Sequence, residues 1–113
     1  MTEGEAEKIA RTEALFREVN ERIAETAERF EARGTNFVCE CADPACTHAV
    51  GTTLKEYERV REEGATFLLV PGHEDDRVEA VVEVADDHAV VEKLHPEVRR
   101  LVLDLDPRGN EAA

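Results

Sequence analysis

The sequence predicts an α+β fold in which a long N-terminal amphipathic helix packs on a small, mainly antiparallel sheet that carries a cysteine-rich knuckle. Three observations predict it. Residues 2–33 are charged yet keep apolar side chains at helical spacing, residues 65–94 break into short β-branched runs bounded by turn residues, and all three cysteines fall within one short stretch between these regions. At 113 residues the chain has the size of one domain, 1–113, read as the helix at 2–33, an α+β core at 36–105 and a fraying tail at 106–113.

In the helical region Ile9, Phe16, Ile23 and Phe30 recur seven apart, with Leu15, Val19 and Ala27 at three- and four-residue steps between them. Thr2 with Glu5 matches a capping box, and Gly34 after Arg33 matches a stop. Thr12 and Thr26 fall where a coiled coil wants apolar residues. Two uses of the apolar face therefore stay open: packing on the chain's own sheet, and pairing with a second copy in a homodimer.

Gly34-Thr35-Asn36 reads as a turn, "FVCEC" (37–41) as a strand, and "ADPAC" (42–46) as the Asp-Pro turn that folds the chain back. Thr53 and Glu56 form a second capping box, opening a short helix with Leu54, Tyr57 and Val60 on its inner face until Gly64. "ATFLLVP" (65–71) reads as a buried strand ended at Pro71-Gly72. "VEAVVEV" (78–84) alternates as a half-buried strand, with a helix as its rival because Val78, Val81 and Val82 also suit that spacing. Ala85 to His88 make a turn, and "AVVEKL" (89–94) returns as the second arm of a hairpin. Pro96 opens a closing helix over "PEVRRLVLDL" (96–105), where a strand is the alternative. Tyr57 reads as core, and His88 and His95 as exposed polar residues.

Fourteen basic against twenty-seven acidic side chains give a net charge of −13, which repels a phosphate backbone or an anionic membrane and suits a basic protein partner. Nucleic acid and membrane are disfavoured on that ground. No stretch approaches the roughly 18 apolar residues of a membrane span, and the first residues hold no signal-like apolar run, so the expected compartment is the cytoplasm. There, an odd set of close cysteines points to metal or catalysis rather than to disulfides.

Cys39-x-Cys41-x4-Cys46 lets a strand and a tight turn bring three thiolates to the roughly 4 Å spacing of ligands on one tetrahedral ion, and Zn2+ is the ion that suits such a sulfur-rich set. A fourth ligand is needed. His48 is near in sequence, but the backbone from Cys46 would have to turn sharply to present both side chains. His73, in "VPGHE", follows Gly72, which permits an unusual backbone angle, and it is the preferred ligand. Glu74, Asp75 and Asp76 stand close enough to accept from its ring N–H.

The expected metal ligands are thus Cys39, Cys41, Cys46 and His73, with Zn2+ tying the knuckle to the second half of the fold. A closed Cys3His site is structural and suits an interaction or regulatory module rather than an enzyme. If His73 stayed unbound, the open position would suit a small zinc hydrolase with Glu74 or His73 as base. The chain contains no serine, "HEDDR" lacks the second histidine of a zinc-protease helix, and no phosphate-binding glycine loop is present. No catalytic residue is assigned.

The x1/x4 spacing is also that of the zinc-binding tail following the catalytic domain of histone lysine methyltransferases. The wider pattern of "ALFREVNERI", "FVCEC" with its third cysteine, "EYERVR", "PGHE" and "VVEK", from Ala14 to Lys93, resembles a group of small bacterial proteins sharing the knuckle and the PGHE turn. The resemblance implies a shared fold and a shared metal site at Cys39, Cys41, Cys46 and His73. It carries no activity with it, and its pattern leaves His48 out.

Overall fold

Thr2 starts the first helix as its capping box predicts. In the computed structural model, which describes residues 1–109, its hydroxyl accepts from Glu5 N at 3.1 Å and opens α1 (Glu3–Arg29). The helix ends before Arg33. Phe30 is its C-cap, Glu31 takes a left-handed backbone at φ 53°, and Gly34, the expected stop, instead opens β1 (Gly34–Val38).

The remaining elements are β2 (Ala49–Thr53), α2 (Leu54–Val60), β3 (Thr66–Leu69), β4 (Glu79–Val84), β5 (Ala89–Lys93) and α3 (Pro96–Asp104). They give the expected α+β class, with β1–β2 as an antiparallel hairpin and β3–β5–β4 as an antiparallel three-stranded sheet. Helix α1 packs against α3, β1 and α2. Among the described residues no helix is long and apolar enough to cross a membrane.

The buried face of α1 differs from the expected one. Of the seven-residue seam only Ile9 is buried, while Phe16 and Ile23 are half-buried and Phe30 is 74% exposed. Inside lie Ala6, Ala10, Ala14, Ala24 and Ala27, together with Glu13, Arg17 and Asn20. The alanines let neighbouring backbone approach closely, and the three polar side chains, four and three residues apart, share one helix face and each reach a different element. Glu13 accepts from Lys93 Nζ of β5 at 2.7 Å, and Lys93 also donates to Glu79 of β4. Arg17 lies over the Phe67 ring at 3.4 Å and donates to the carbonyls of Gly64, at 2.7 Å, and Thr66. Asn20 reaches β1.

Strand β5 is the middle of the sheet, and β3 beside it is its most buried strand, with Phe67, Leu68 and Leu69 fully buried and paired with Val91, Val90 and Ala89. "VEAVVEV" is a strand and not a helix, and it pairs with β5 through the Ala85–His88 turn as expected. Its burial does not alternate as expected: Val78 and Glu79 at its start are buried and its outer half is exposed. Glu79 points inward to Lys93, whereas Val81, Val82 and Val84 are exposed. Strand β4 lies at the sheet edge, and a bulge at Val82, between the Val81–Val91 and Glu83–Val90 pairs, re-aims its outer half.

Two further strand boundaries were misread. Residues 34–36 belong to β1, so only Phe37 and Val38 of "FVCEC" are strand, and β2 has no counterpart in the sequence reading. "AVGTT" carries too few large apolar side chains to announce itself; its partner across the hairpin makes it a strand. Thr53 caps α2 by accepting from Glu56 N at 3.0 Å, as its box predicts, and Tyr57 stacks on Phe37 in the core with ring centroids 4.5 Å apart.

Helix α3 forms in preference to the alternative strand, with Pro96 in its first turn and Val98 and Val102 buried. His95 is not a bystander: as N-cap it is half-buried and accepts from Val98 N. His88, also expected to be exposed, is 3% exposed and bridges two acids, Nδ1 at 2.5 Å from Asp87 and Nε2 at 2.9 Å from Glu56. The start of the expected fraying tail is held too. Asp106 pairs with the buried Arg61, and Arg108 pairs with Glu21 at 2.5 Å and Glu58 at 2.8 Å. Residues 110–113 lie outside the described residues.

Candidate metal centre

Cys39 follows the last residue of β1, and its N–H donates to His48 O at 3.2 Å, carrying the β1–β2 ladder one pair further. The chain then loops through Asp43, whose side chain accepts from Ala45 N at 2.9 Å and whose carbonyl accepts from Cys46 N at 3.1 Å. This is the Asp-Pro turn the sequence predicts, and it brings Cys46 back toward Cys39. His73 arrives from the other side. Val70-Pro71-Gly72-His73 closes with His73 N donating to Val70 O at 3.1 Å, and Gly72 has φ 91°, the left-handed value a type II turn requires at its third residue.

These two turns bring one ligand atom each from Cys39, Cys41, Cys46 and His73 within 4.8 Å of one another. His73 Nδ1 is 3.5 Å from Cys39 Sγ and 3.7 Å from Cys46 Sγ. With metal–sulfur bonds of about 2.3 Å and metal–nitrogen bonds of about 2.0 Å, the S–N edge of a tetrahedral site measures roughly 3.6 Å. The donor atoms therefore already stand at ligand spacing. Cys39 and Cys41 are buried, and Cys46 and His73 are half-buried. His48 lies alongside and exposed, with Nδ1 3.7 Å from Cys46 Sγ and its ring edge-on to His73 at 4.8 Å between centroids.

Burial pushes the Cys39 thiol well above the usual cysteine range; the N–H of Val70, 3.2 Å from its sulfur, works against that rise, and the neighbouring Cys41 adds to it. Burial raises Cys41 likewise. A cation reverses this balance, because it stabilises the thiolates that the apolar surroundings disfavour. The arrangement suits a thiophilic metal ion, and the buried Cys39 and Cys41 are not activated as nucleophiles.

The acidic turn behaves differently from expectation. Among the described residues none of Glu74, Asp75 and Asp76 hydrogen-bonds the His73 ring; Asp75 pairs with Arg77 at 2.8 Å, and its N–H is taken by Glu79 at 3.0 Å. With Asp43 and Arg77, these three acids line an open groove of about 440 Å³ beside His73.

The support that sequence reasoning missed is Glu40, the residue between the first two cysteines. It is fully buried, accepting from Leu68 N at 3.0 Å through Oε1 and from Asn20 Nδ2 at 2.8 Å through Oε2. Asn20 in turn brackets Val38, accepting from its N–H at 2.7 Å and donating to its carbonyl at 2.8 Å. One carboxylate and one amide thus fix the backbone that aims Cys39 and Cys41, joining α1, β1 and β3. The available signal was a glutamate inside an otherwise apolar "FVCEC" run. Glu40→Gln should lower stability by about 1–3 kcal/mol and weaken metal retention, because a new N–H2 would face donors only. Urea denaturation of the metal-loaded protein measures this; a variant as stable as the parent would show that Glu40 is not a support.

No family model matches the chain, and searches of curated proteins and of solved structures find no match. Fold and site together define the class: a small α+β protein with a Cys3His cluster shaped to hold a metal ion.

Proposed function

We propose that this protein is a zinc-binding interaction module. Zn2+ held by Cys39, Cys41, Cys46 and His73 staples the β1–β2 loop to the turn after β3 and fixes the surface around them. The observation that carries this reading is the convergence of three sulfurs and one imidazole nitrogen within 4.8 Å. Zinc follows from the donor set, since three thiolates and one imidazole in a small tetrahedral site select a soft to borderline ion without geometric demands of its own.

The position of His73 Nδ1, at ligand distance from two sulfurs, favours a closed structural site over the open position a hydrolase needs. The partner we infer is a basic protein segment. Asp43, Glu74, Asp75 and Asp76 line the groove beside the metal together with one cation, Arg77, which pairs with Asp75, so the groove keeps an acidic excess. The chain's net charge of −13 attracts cationic partners to the molecule as a whole.

Elemental analysis of protein purified without a metal-binding tag, paired with thiol titration before and after denaturation, tests the centre. The expected result is stoichiometric zinc with every cysteine masked until the chain unfolds. Metal-free protein with freely reactive thiols would overturn the reading.

A further inference from the structure

The zinc reading leaves one metal-ligating side chain beside the site without a role. His48 is the cross-strand neighbour of Cys39: the hairpin register ends at Val38–Ala49, and the next pair is joined by the bond from Cys39 N to His48 O at 3.2 Å. Residues opposite each other in an antiparallel pair put their side chains on the same face. The imidazole is therefore held at the site by backbone pairing and does not merely drift past it.

Distances give that placement a chemical meaning. Cys46 Sγ has two imidazole neighbours, His48 Nδ1 and His73 Nδ1, each at 3.7 Å, and both values match the roughly 3.6 Å S–N edge of a tetrahedral zinc site. Only His73 also lies near Cys39 Sγ, at 3.5 Å, so it is the resident nitrogen and His48 stands one edge away. The two rings meet edge to face, with centroids 4.8 Å apart. Burial is graded in the same direction, from buried Cys39 and Cys41 through half-buried Cys46 and His73 to exposed His48.

We propose that His48 is an exchange ligand for this centre. It replaces His73 as the nitrogen donor, and the ion enters and leaves through the exposed Cys46–His48 side while Cys39 and Cys41 hold the inner position. This rests on the metal reading above. The exchange is a simple substitution: the Nδ1 lone pair of neutral His48 forms a bond to zinc as that of neutral His73 breaks. Three thiolates, one imidazole and four-coordination are present before and after. No proton or electron is transferred. The consequence is a structural site that is kinetically open to a chelating acceptor.

Co2+ substitution reads the ligand set directly, because its visible ligand-field bands differ between three-sulfur-one-nitrogen and three-sulfur-one-water sites. The proteins compared are the parent chain, His48→Ala, His73→Ala and the double variant. The expected result is a nitrogen-type spectrum in His73→Ala, supplied by His48, and its loss only in the double variant. Stopped-flow transfer of Zn2+ to a coloured chelator should be several-fold slower in His48→Ala than in the parent.

A His73→Ala spectrum identical to that of the double variant would overturn the exchange and leave the metal reading standing. Parent-like transfer from His48→Ala would do the same, and this second measurement holds even if His73→Ala fails to fold, since His48 is exposed. A parent chain that takes up no Co2+ or Zn2+ would overturn both.

Discussion

Cys39→Ser is expected to release the metal and to lower the melting temperature by on the order of 15 °C. The estimate takes a site filled at about a thousand times its dissociation constant, which contributes about 4 kcal/mol, and the usual slope of melting temperature with stability for a chain of this size. Cys39 is the most consequential ligand because three contacts meet on it. Its sulfur lies 3.5 Å from His73 Nδ1, accepts from Val70 N at 3.2 Å, and sits on the residue that continues the β1–β2 ladder. A serine hydroxyl is shorter, harder and rarely deprotonated, so it does not replace the thiolate ligand, although its oxygen can still accept a hydrogen bond.

Two controls give that prediction its direction. Chelator should bring the parent protein down to the variant's melting temperature and leave the variant unmoved. Retention should also weaken in acid, since burial holds the Cys39 and Cys41 thiols protonated and each bound thiolate must first lose its proton. A parent melt indifferent to chelator would remove the metal from any account of this fold.

Lys93→Met should cost about 3–5 kcal/mol at neutral pH. It leaves Glu13 and Glu79, both buried, facing each other without the ammonium that donates to each. Burial pushes the Glu13 carboxyl up to about 8, more than the attraction of Lys93 pulls it down, and the nearby Glu79 charge pushes the same way. Its second oxygen, Oε1, is buried with no hydrogen-bond partner, which accounts for the weak compensation.

The sign of the pH dependence follows. The folded state of Glu13 binds its proton more tightly than the unfolded chain, so its contribution is fully present below the ordinary value of 4.5 and is lost as pH rises through about 8. Without the attraction of Lys93, which lowers it, the Glu13 carboxyl holds its proton still more tightly. The difference between variant and parent in urea denaturation should therefore be smaller at mildly acidic pH than above 8, and an equal difference at both would show that Glu13 does not titrate as described in the folded protein. Comparing the two proteins at each pH removes any loss of metal common to both.

The features legible in the sequence share a short range. Thr2 with Glu5, Thr53 with Glu56, the Val70–His73 turn and the Asp43 turn each close a hydrogen bond within three residues, so residue type and spacing suffice to read them. The four cysteine and histidine side chains that converge were readable for a related reason. Their chemistry is rare in this chain, and two short turns place most of it.

The buried polar framework was not readable. Glu13 and Lys93 lie 80 positions apart, Arg17 and Thr66 lie 49 apart, and Glu40 and Leu68 lie 28 apart. In the sequence Glu13, Arg17, Glu40 and Lys93 are ordinary charged residues, of the types that usually face water, and nothing beside them marks them as buried. A buried charge is tolerable only where a partner and complementary dipoles await it, and those arrive with the fold. The same holds for His88 between Asp87 and Glu56, and for His48, which enters the site because a backbone register pairs it with Cys39.

By itself the sequence determined the α+β class, the capping boxes at Thr2 and Thr53, the hairpin after β3 and which cysteines and histidine would meet, because those rest on local geometry and residue chemistry. Tertiary structure alone decided which face of α1 turned inward, that Glu40 and Asn20 support the cysteines, and that a second histidine stands beside the first. These outcomes depend on pairing energies between groups distant in the chain, and no local pattern carries them.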